Sequence, residues 1–264
     1  MNDNIRNLRM LLLTHFYIFK GTFSYRLSSV FFILATLLNP VISVVIISSL
    51  YAYANGIAGW NYFQLLALSA FSTFVMGMAL YLMNPDDLSK DLKRGKKINR
   101  VMLLPLPMWF VIFTSFSDVF MLGSAFGGLA LFLYAISHTS IGLINGILFV
   151  IAAISGIALV DLLMGALSLL AFKFLGSAGW TGWLFQELGS ANSYPLTIYG
   201  SLGLLLFSFA LPIGLAIYFP ASILLGKFSA YYSLGIVVIS VLTTLLLYRI
   251  FKLTFNSSYA GGKS

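Results

Sequence analysis

Hydrophobic residues run through this chain in long, unalternating blocks separated by short polar breaks. Blocks of that length without a period of two predict helices rather than strands. The first block, 4–26, is interrupted: Ile5, Leu8, Leu12, Phe16 and Phe19 recur at helical spacing, while Arg6, Asn7, Thr14 and Lys20 occupy the rest of the wheel. This pattern predicts a helix lying in a membrane interface. A secretory leader is the competing reading. It is disfavoured by Thr14 and His15 within the apolar run and by the basic residue that follows where small residues would mark cleavage.

Six stretches read as membrane spans: 27–53, 62–83, 108–135, 141–174, 195–220 and 231–248. The first contains Asn39 and Pro40, a proline that kinks a span without abolishing it. Trp60 and Tyr62 read as interface anchors ahead of the second, and 137–140 as a tight turn after the third. About 20 residues cross a hydrocarbon core about 30 Å thick, so the fourth stretch is too long for one perpendicular crossing. It must tilt or bend, and Gly156 and Gly165 are the bending points available. The segment 176–194, with Trp180, Trp183, Glu187 and Asn192, reads as interfacial, and in 211–227 prolines and the pair Tyr218 and Phe219 interrupt the pattern.

Between the second and third spans lies a polar island, 84–107, holding six of the fifteen Lys and Arg residues and three of the seven acids. Its first half is written as a short helix. Asn84 can cap it, Pro85 suits the first helical position, and Asp86 and Asp87 fill the first turn. Lys93 and Arg94 fall in the last turn and Gly95 follows as a terminator. Leu88 and Leu92, four apart, share a narrow apolar face beside Asp91. Such a helix is marginal alone in water, so it is either part of a solvated loop or a docking helix held by a partner.

Composition turns these blocks into a class. With 60% hydrophobic and 8% charged residues and a mean hydropathy of +0.97, the chain reads as an integral, all-α membrane protein forming one transmembrane domain over 1–264. The net charge of +8 is scattered over membrane-flanking segments, which argues against a nucleic-acid groove. It is better read as topology. With a cytoplasmic N-terminus and six crossings, every Lys and Arg except Lys227 falls inside, so both termini and the island are expected to be cytoplasmic.

The absence of cysteine excludes disulfides, thiolate catalysis and Cys-bound metal. His15 and His138 lack metal-ligand spacing, and the terminal GGKS lacks the glycine, strand and helix of a phosphate-binding loop. No catalytic residue, metal site or cofactor of its own is expected of this chain. Two acids fall within the expected spans, Asp118 and Asp161, and an intramembrane carboxylate is costly enough to count as a candidate for function. With Asn39 they are candidates for a translocation path. Gly123 with Gly127 and Gly142 with Gly146 have the spacing of close helix packing.

Local sequence adds a resemblance. The run LKRGKKINRVMLLPLP (92–107), the stretches SYPLTIYG (193–200) and ALPIGLAIYFPASILLGK (210–227), and the ending YAGGKS (259–264) resemble the permease subunits of ABC type-2 exporters, although Leu104 stands where that pattern often has a basic residue. The resemblance implies a half-transporter without its own ATPase, paired with a second identical or related permease and two cytoplasmic nucleotide-binding subunits that bind ATP and Mg. It makes 1–26 an elbow helix, 84–107 a coupling segment, and 211–227 an outer re-entrant turn. In that segment Pro85, Asp86, Asp87, Leu88, Asp91, Leu92, Arg94 and Gly95 would serve the ATPase contact, with Leu88 and Leu92 as apolar keys. The expected site is the inner or plasma membrane. The alternative is a proton-coupled secondary transporter with Asp118 or Asp161 as carrier.

Overall fold

The computed structural model describes residues 3–53, 56–94, 116–175 and 180–260, and their regular elements are helices. Helix α1 (Asp3–Thr22) is followed by a single 3-10 turn, Phe23–Tyr25, and then by α2 (Arg26–Tyr53). The Ser29 hydroxyl donates to the Thr22 carbonyl at 2.7 Å and closes the joint between them. Helix α3 (Tyr62–Leu82) opens on a capping box: Asn61 accepts from the Gln64 amide, and the Gln64 side chain accepts from the Asn61 amide. A ten-residue helix, α4, runs from Pro85 to Arg94. A 3-10 turn, Val119–Met121, leads into α5 (Leu122–Ser137), followed by α6 (Leu143–Leu175) and α7 (Thr181–Ala191).

The chain then makes an arm, Leu196–Ala210, containing α8 (Gly200–Leu205) and one π turn. Two short buried helices, α9 (Ile213–Ala216) and α10 (Tyr218–Leu224), and the long α11 (Ala230–Ala260) complete the fold. Among the described residues five segments are long and apolar enough to cross a membrane; the bent pair α7 and arm, turned by 103°, would be a sixth.

Small residues set the packing. A Cβ at Gly77 would lie 2.6 Å from the Ala125 amide, and one at Gly128 would lie 2.6 Å from that of Phe74, so α3 and α5 touch backbone to backbone. Gly123 and Gly127 receive α2 at Ile33, Thr36 and Pro40, and Thr36 donates to the Phe120 carbonyl at 2.8 Å. Among the described residues the second glycine pair is not used this way: none of them lies within 4 Å of a Cβ at Gly146. Removal of side chains at the contact lets dispersion operate over a long backbone interface, which is how helices associate where no hydrophobic force separates them from lipid.

These contacts order the ends. Residues 33–40 meet 120–127, so α2 and α5 run parallel, whereas α3 and α5 run antiparallel. Ser155 meets Ser240, and Gly165 meets both Phe251 and Met83, so α6 and α11 are parallel and finish beside the end of α3. The exposed Lys173, Arg249 and Lys252 therefore share the end that carries α4. Lys227 sits at the opposite end, donating to the Gly59 carbonyl at 2.9 Å and lying over the Trp60 ring. Trp60 is buried beneath it beside Tyr218, a support for the loop and not the lipid-facing anchor its position predicts.

The helix boundaries bear on five expectations. The fourth stretch is one continuous 33-residue helix, long enough for a tilted or bent single crossing, and Gly156 and Gly165 are seats for the Ala216 backbone and the Phe251 ring. The expected start of the third span at Met108 lies outside the described residues, and its described part begins only after Asp118. The segment 176–194, expected in the interface, contributes α7, which climbs into the bundle. Gly182 lies against Asp86 at one end of α7, and the Gly189 carbonyl accepts from Ser72, halfway up α3, near the other.

The fifth span is thus not a helix opening at Pro195. Counted at about 1.5 Å per residue, Gly189 and Ala216 lie at similar heights above Met83, through Ser72 on α3 and Gly156 on α6. From there α10 continues to Gly226, which lies near Asn145 at the far end of α6. Helix α7 covers the half of the bundle next to α4, α10 covers the other half, and the arm is an excursion between them. The sixth long helix also outlasts its expected end at Tyr248, because its apolar run continues to Phe255.

Placing a branched side chain at Gly128 is expected to lower stability by about 1–3 kcal/mol, read as an earlier thermal transition of the detergent-solubilised chain. Gly146→Ala is expected to leave it in place. A Gly128→Val chain that melts with the wild type would refute the contact between α3 and α5.

Candidate functional site: a fastened helix and a polar cleft

Helix α4 hangs from a node of backbone and side-chain hydrogen bonds. The Asn84 side-chain oxygen accepts from the Asp86 amide at 3.0 Å, the N-cap role its position predicts, and its main-chain carbonyl accepts from Leu88 at 3.1 Å. The other polar groups of Asn84 reach across the bundle. Its main-chain amide donates to the Phe116 carbonyl at 2.8 Å, and its side-chain amide donates to Asp118 Oδ2 at 2.9 Å. Asp118 Oδ1 accepts from the Phe120 amide, and the Asp118 amide donates to the Tyr81 carbonyl at 3.0 Å. One asparagine and one aspartate therefore join the end of α3, the start of α4 and the turn into α5.

Burial pushes the Asp118 carboxyl above the usual carboxylate range. The hydrogen bonds from Asn84 and Phe120 oppose that push, Asp87 adds to it and Lys90 works against it. Asp118 caps the turn that leads into α5 and stands before that helix, not within it.

The faces of α4 are also resolved. Pro85, Leu88 and Asp91 point inward, with Leu88 fully buried, and the helix packs against α6 and α7. Leu88 is thus not an exposed key for a partner: a period of three to four marks an apolar face without saying what covers it. Asp87 and Lys90 face outward, 3.5 Å apart, as an exposed pair. Gly95 and the side chains of Leu92 and Arg94 lie outside the described residues. Asp86 sits where two helix N-termini meet, its own and that of α7, where a Cβ at Gly182 would lie 2.5 Å from its carboxylate. Two positive helix ends favour an acid there.

Helix α7 is the second leg of the site. Its first residue, Thr181, shares a buried hydroxyl hydrogen bond with Ser168 of α6, and Gly189 near its other end is pressed against Met76. There it forms one wall of a cleft of about 350 Å³, whose other walls are α2, α3 and the start of α5. The described lining contains no Asp, Glu, Lys, Arg or His; its polar groups are serines, threonines, Asn39, Gln186 and Tyr194. Asn39 donates to Ser124 at 3.3 Å across the α2–α5 contact. The non-helical backbone between α7 and the arm reaches the cleft at Ser193 and Tyr194. Irregular backbone at such depth is tolerated where protein buries it or a wet cavity borders it.

Of the three residues proposed for a path, Asn39 lines this cleft and the two acids do not. Asp118 belongs to the node under α4. Asp161 is buried inside α6, 2% exposed, with no hydrogen-bond partner for either oxygen among the described residues. The sequence reading missed Ser72, Thr73, Ser190 and Ser193, which look unremarkable individually. The available signal was their recurrence at helical spacing in otherwise apolar segments.

A family model described as ABC-2 family transporter protein matches residues 37–261, from the middle of α2 through α11. No curated protein and no solved structure matches the chain significantly.

Asn84→Ala is expected to cost about 1–2 kcal/mol through the lost cap. Combined with Asp118→Ala it should be non-additive by about 0.5–3 kcal/mol in a denaturant-unfolding cycle. Strict additivity would show that amide and carboxylate do not bind each other.

Proposed function

The chain belongs to the ABC-2 family of transporter proteins, and on that premise we propose that it is the permease subunit of an ATP-driven exporter whose motor docks on α4. The observation that carries the reading is the way α4 is held. A short helix with a buried inner face and an exposed Asp87–Lys90 edge, tied to both α3 and α5, can pass a push from a soluble partner into the bundle. Helix α7 extends that connection from Asp86 to the cleft, so displacement of α4 moves one wall of the cleft against α2.

Two cytoplasmic nucleotide-binding subunits would supply ATP and Mg, and a second identical or related permease would close the cleft into a path. The concentration of exposed cations at the α4 end favours a cytoplasmic orientation for that end and both termini. Helix α1, with Phe16, Tyr17 and Phe19 exposed and His15 hydrogen-bonded to Tyr81, has the make-up of an elbow lying along the same interface. The buried α9 and α10 would form the outer re-entrant segment.

Native complexes extracted in mild detergent are expected to carry an ATPase and a second permease. Reversing the outward pair, Asp87→Lys with Lys90→Glu, should lower ATPase retention by about tenfold without moving the melting transition. Leu88→Asp should instead destabilise the chain itself. Wild-type retention and export in the charge-reversed chain would sink the docking assignment.

Asp161→Asn separates this reading from proton coupling. ATP-driven export is expected to survive the substitution. Transport that persists after ATP depletion, collapses with the proton gradient and vanishes in Asp161→Asn would establish the secondary transporter instead.

A further inference from the structure

The hydrogen-bond state of the cleft wall identifies what the cleft can hold. Six of its hydroxyls already give their protons to main-chain carbonyls. Thr36 donates to Ile33 and Phe120, Ser43 to Asn39, Ser72 to Gly189, Thr73 to Ser69, Ser190 to Gln186 and Ser193 to Gly189. A hydroxyl whose proton is committed can only accept from whatever lies in front of it. These six hydroxyls therefore present oxygen lone pairs, and they outnumber the cleft's other polar groups, Ser69, Ser124, Tyr194 and the Asn39 and Gln186 amides.

Those lone pairs lie next to apolar side chains, Ile42, Ile46, Met76, Leu80 and Met121, in the same cleft. An anion would meet mostly acceptors, with no cation among the described lining residues to balance it. A bare cation would leave water for a lining that has no carboxylate among its described residues, which is costly in a low-dielectric setting. A headgroup with several O–H or N–H donors satisfies the wall, and a hydrocarbon part covers the aliphatic strip.

The geometry points to an uncharged, donor-rich amphiphile, one with a polyhydroxylated head on an alkyl chain, as the cargo class of this cleft. This rests on the permease reading. It adds the headgroup rule, which depends on direction of hydrogen bonding and not on polarity alone.

The test uses the full chain in lipid nanodiscs and a dodecyl maltoside carrying a diazirine on its alkyl chain, below solubilising concentration. Labelled peptides are mapped by mass spectrometry. Label is expected in peptides containing Asn39, Thr73 or Ser190, and unlabelled dodecyl maltoside is expected to compete. Dodecyl octaethylene glycol ether, dodecyl sulfate and dodecyltrimethylammonium share the chain but lack the set of donors, and each should compete about tenfold less well.

A triple variant, Ser43→Ala, Thr73→Val and Ser190→Ala, removes hydroxyls whose bonds stay within their own helices. It should lose label by a similar factor while its melting transition stays put. Equal competition by all four heads, or preference for a charged one, would overturn the headgroup rule and leave the permease reading intact. Label spread evenly over the lipid-facing sides of α2 and α11 would show that the cleft is not a binding site and would count against both.

Discussion

The structure depends on how a polar helix is fastened to an apolar bundle. Helix α4 has too few residues to persist alone, since helix nucleation is costly and its inner face is one leucine, one proline and one acid wide. What holds it is Asn84, which satisfies its own helix start and, with its remaining groups, the start of α5 through Phe116 and Asp118. Three backbone ends that would otherwise lie unsatisfied near hydrocarbon are closed by two side chains. A junction of this kind resists bending more than a flexible linker does. Force applied at Asp87 or Lys90 reaches α3 and α5 together.

The second fastening is different in character. Helix α7 meets α4 through packing, Gly182 against Asp86, and meets α3 through Ser72 and Met76. Glycine at both contacts lets the backbones approach, so α7 transmits position with little slack. Because α7 stops halfway up the bundle and α10 takes over from there, the crossing is divided at the height of the cleft. A division there allows the lower half to move with α4 while the upper half stays with α6 and the loop around Trp60. An unbroken helix would have tied the two halves together.

The long helices and the ends of α4 were readable because their causes are local: apolar length, a cap, a first-position proline, acids then bases along one short helix. What α4 faces was not readable. Leu88 at helical spacing predicts an apolar face equally for a bundle and for a partner, and only the fold shows that the bundle takes it. Helix α7 was misread for a related reason. Gln186, Ser190 and Ser193 lower its hydropathy, which resembles an interfacial segment, yet they face a polar cleft inside the bundle. Asp118 looked like a span carboxylate because the sequence does not show that helix α5 begins after it. The glycine pairs illustrate the same limit, since 123 and 127 meet α2 whereas 146 meets nothing among the described residues.

The cleft itself constrains the assembly. Asn39, Gln186 and Ser190 are exposed on this chain at a depth where lipid tails offer no hydrogen bonds. Ser190 can return its proton to its own helix, but the Asn39 and Gln186 amides have too many donors and acceptors for that. A polar face of this extent facing hydrocarbon would oppose insertion, and water alone cannot fill a groove open to the bilayer. The arrangement becomes stable when a second surface covers the groove and encloses the water. In the assembly proposed for this chain, a related permease presenting the same hydroxyl-lined face would supply that cover and double the set of acceptors. On that proposal the path would be built from two half-clefts, each moved by its own α4.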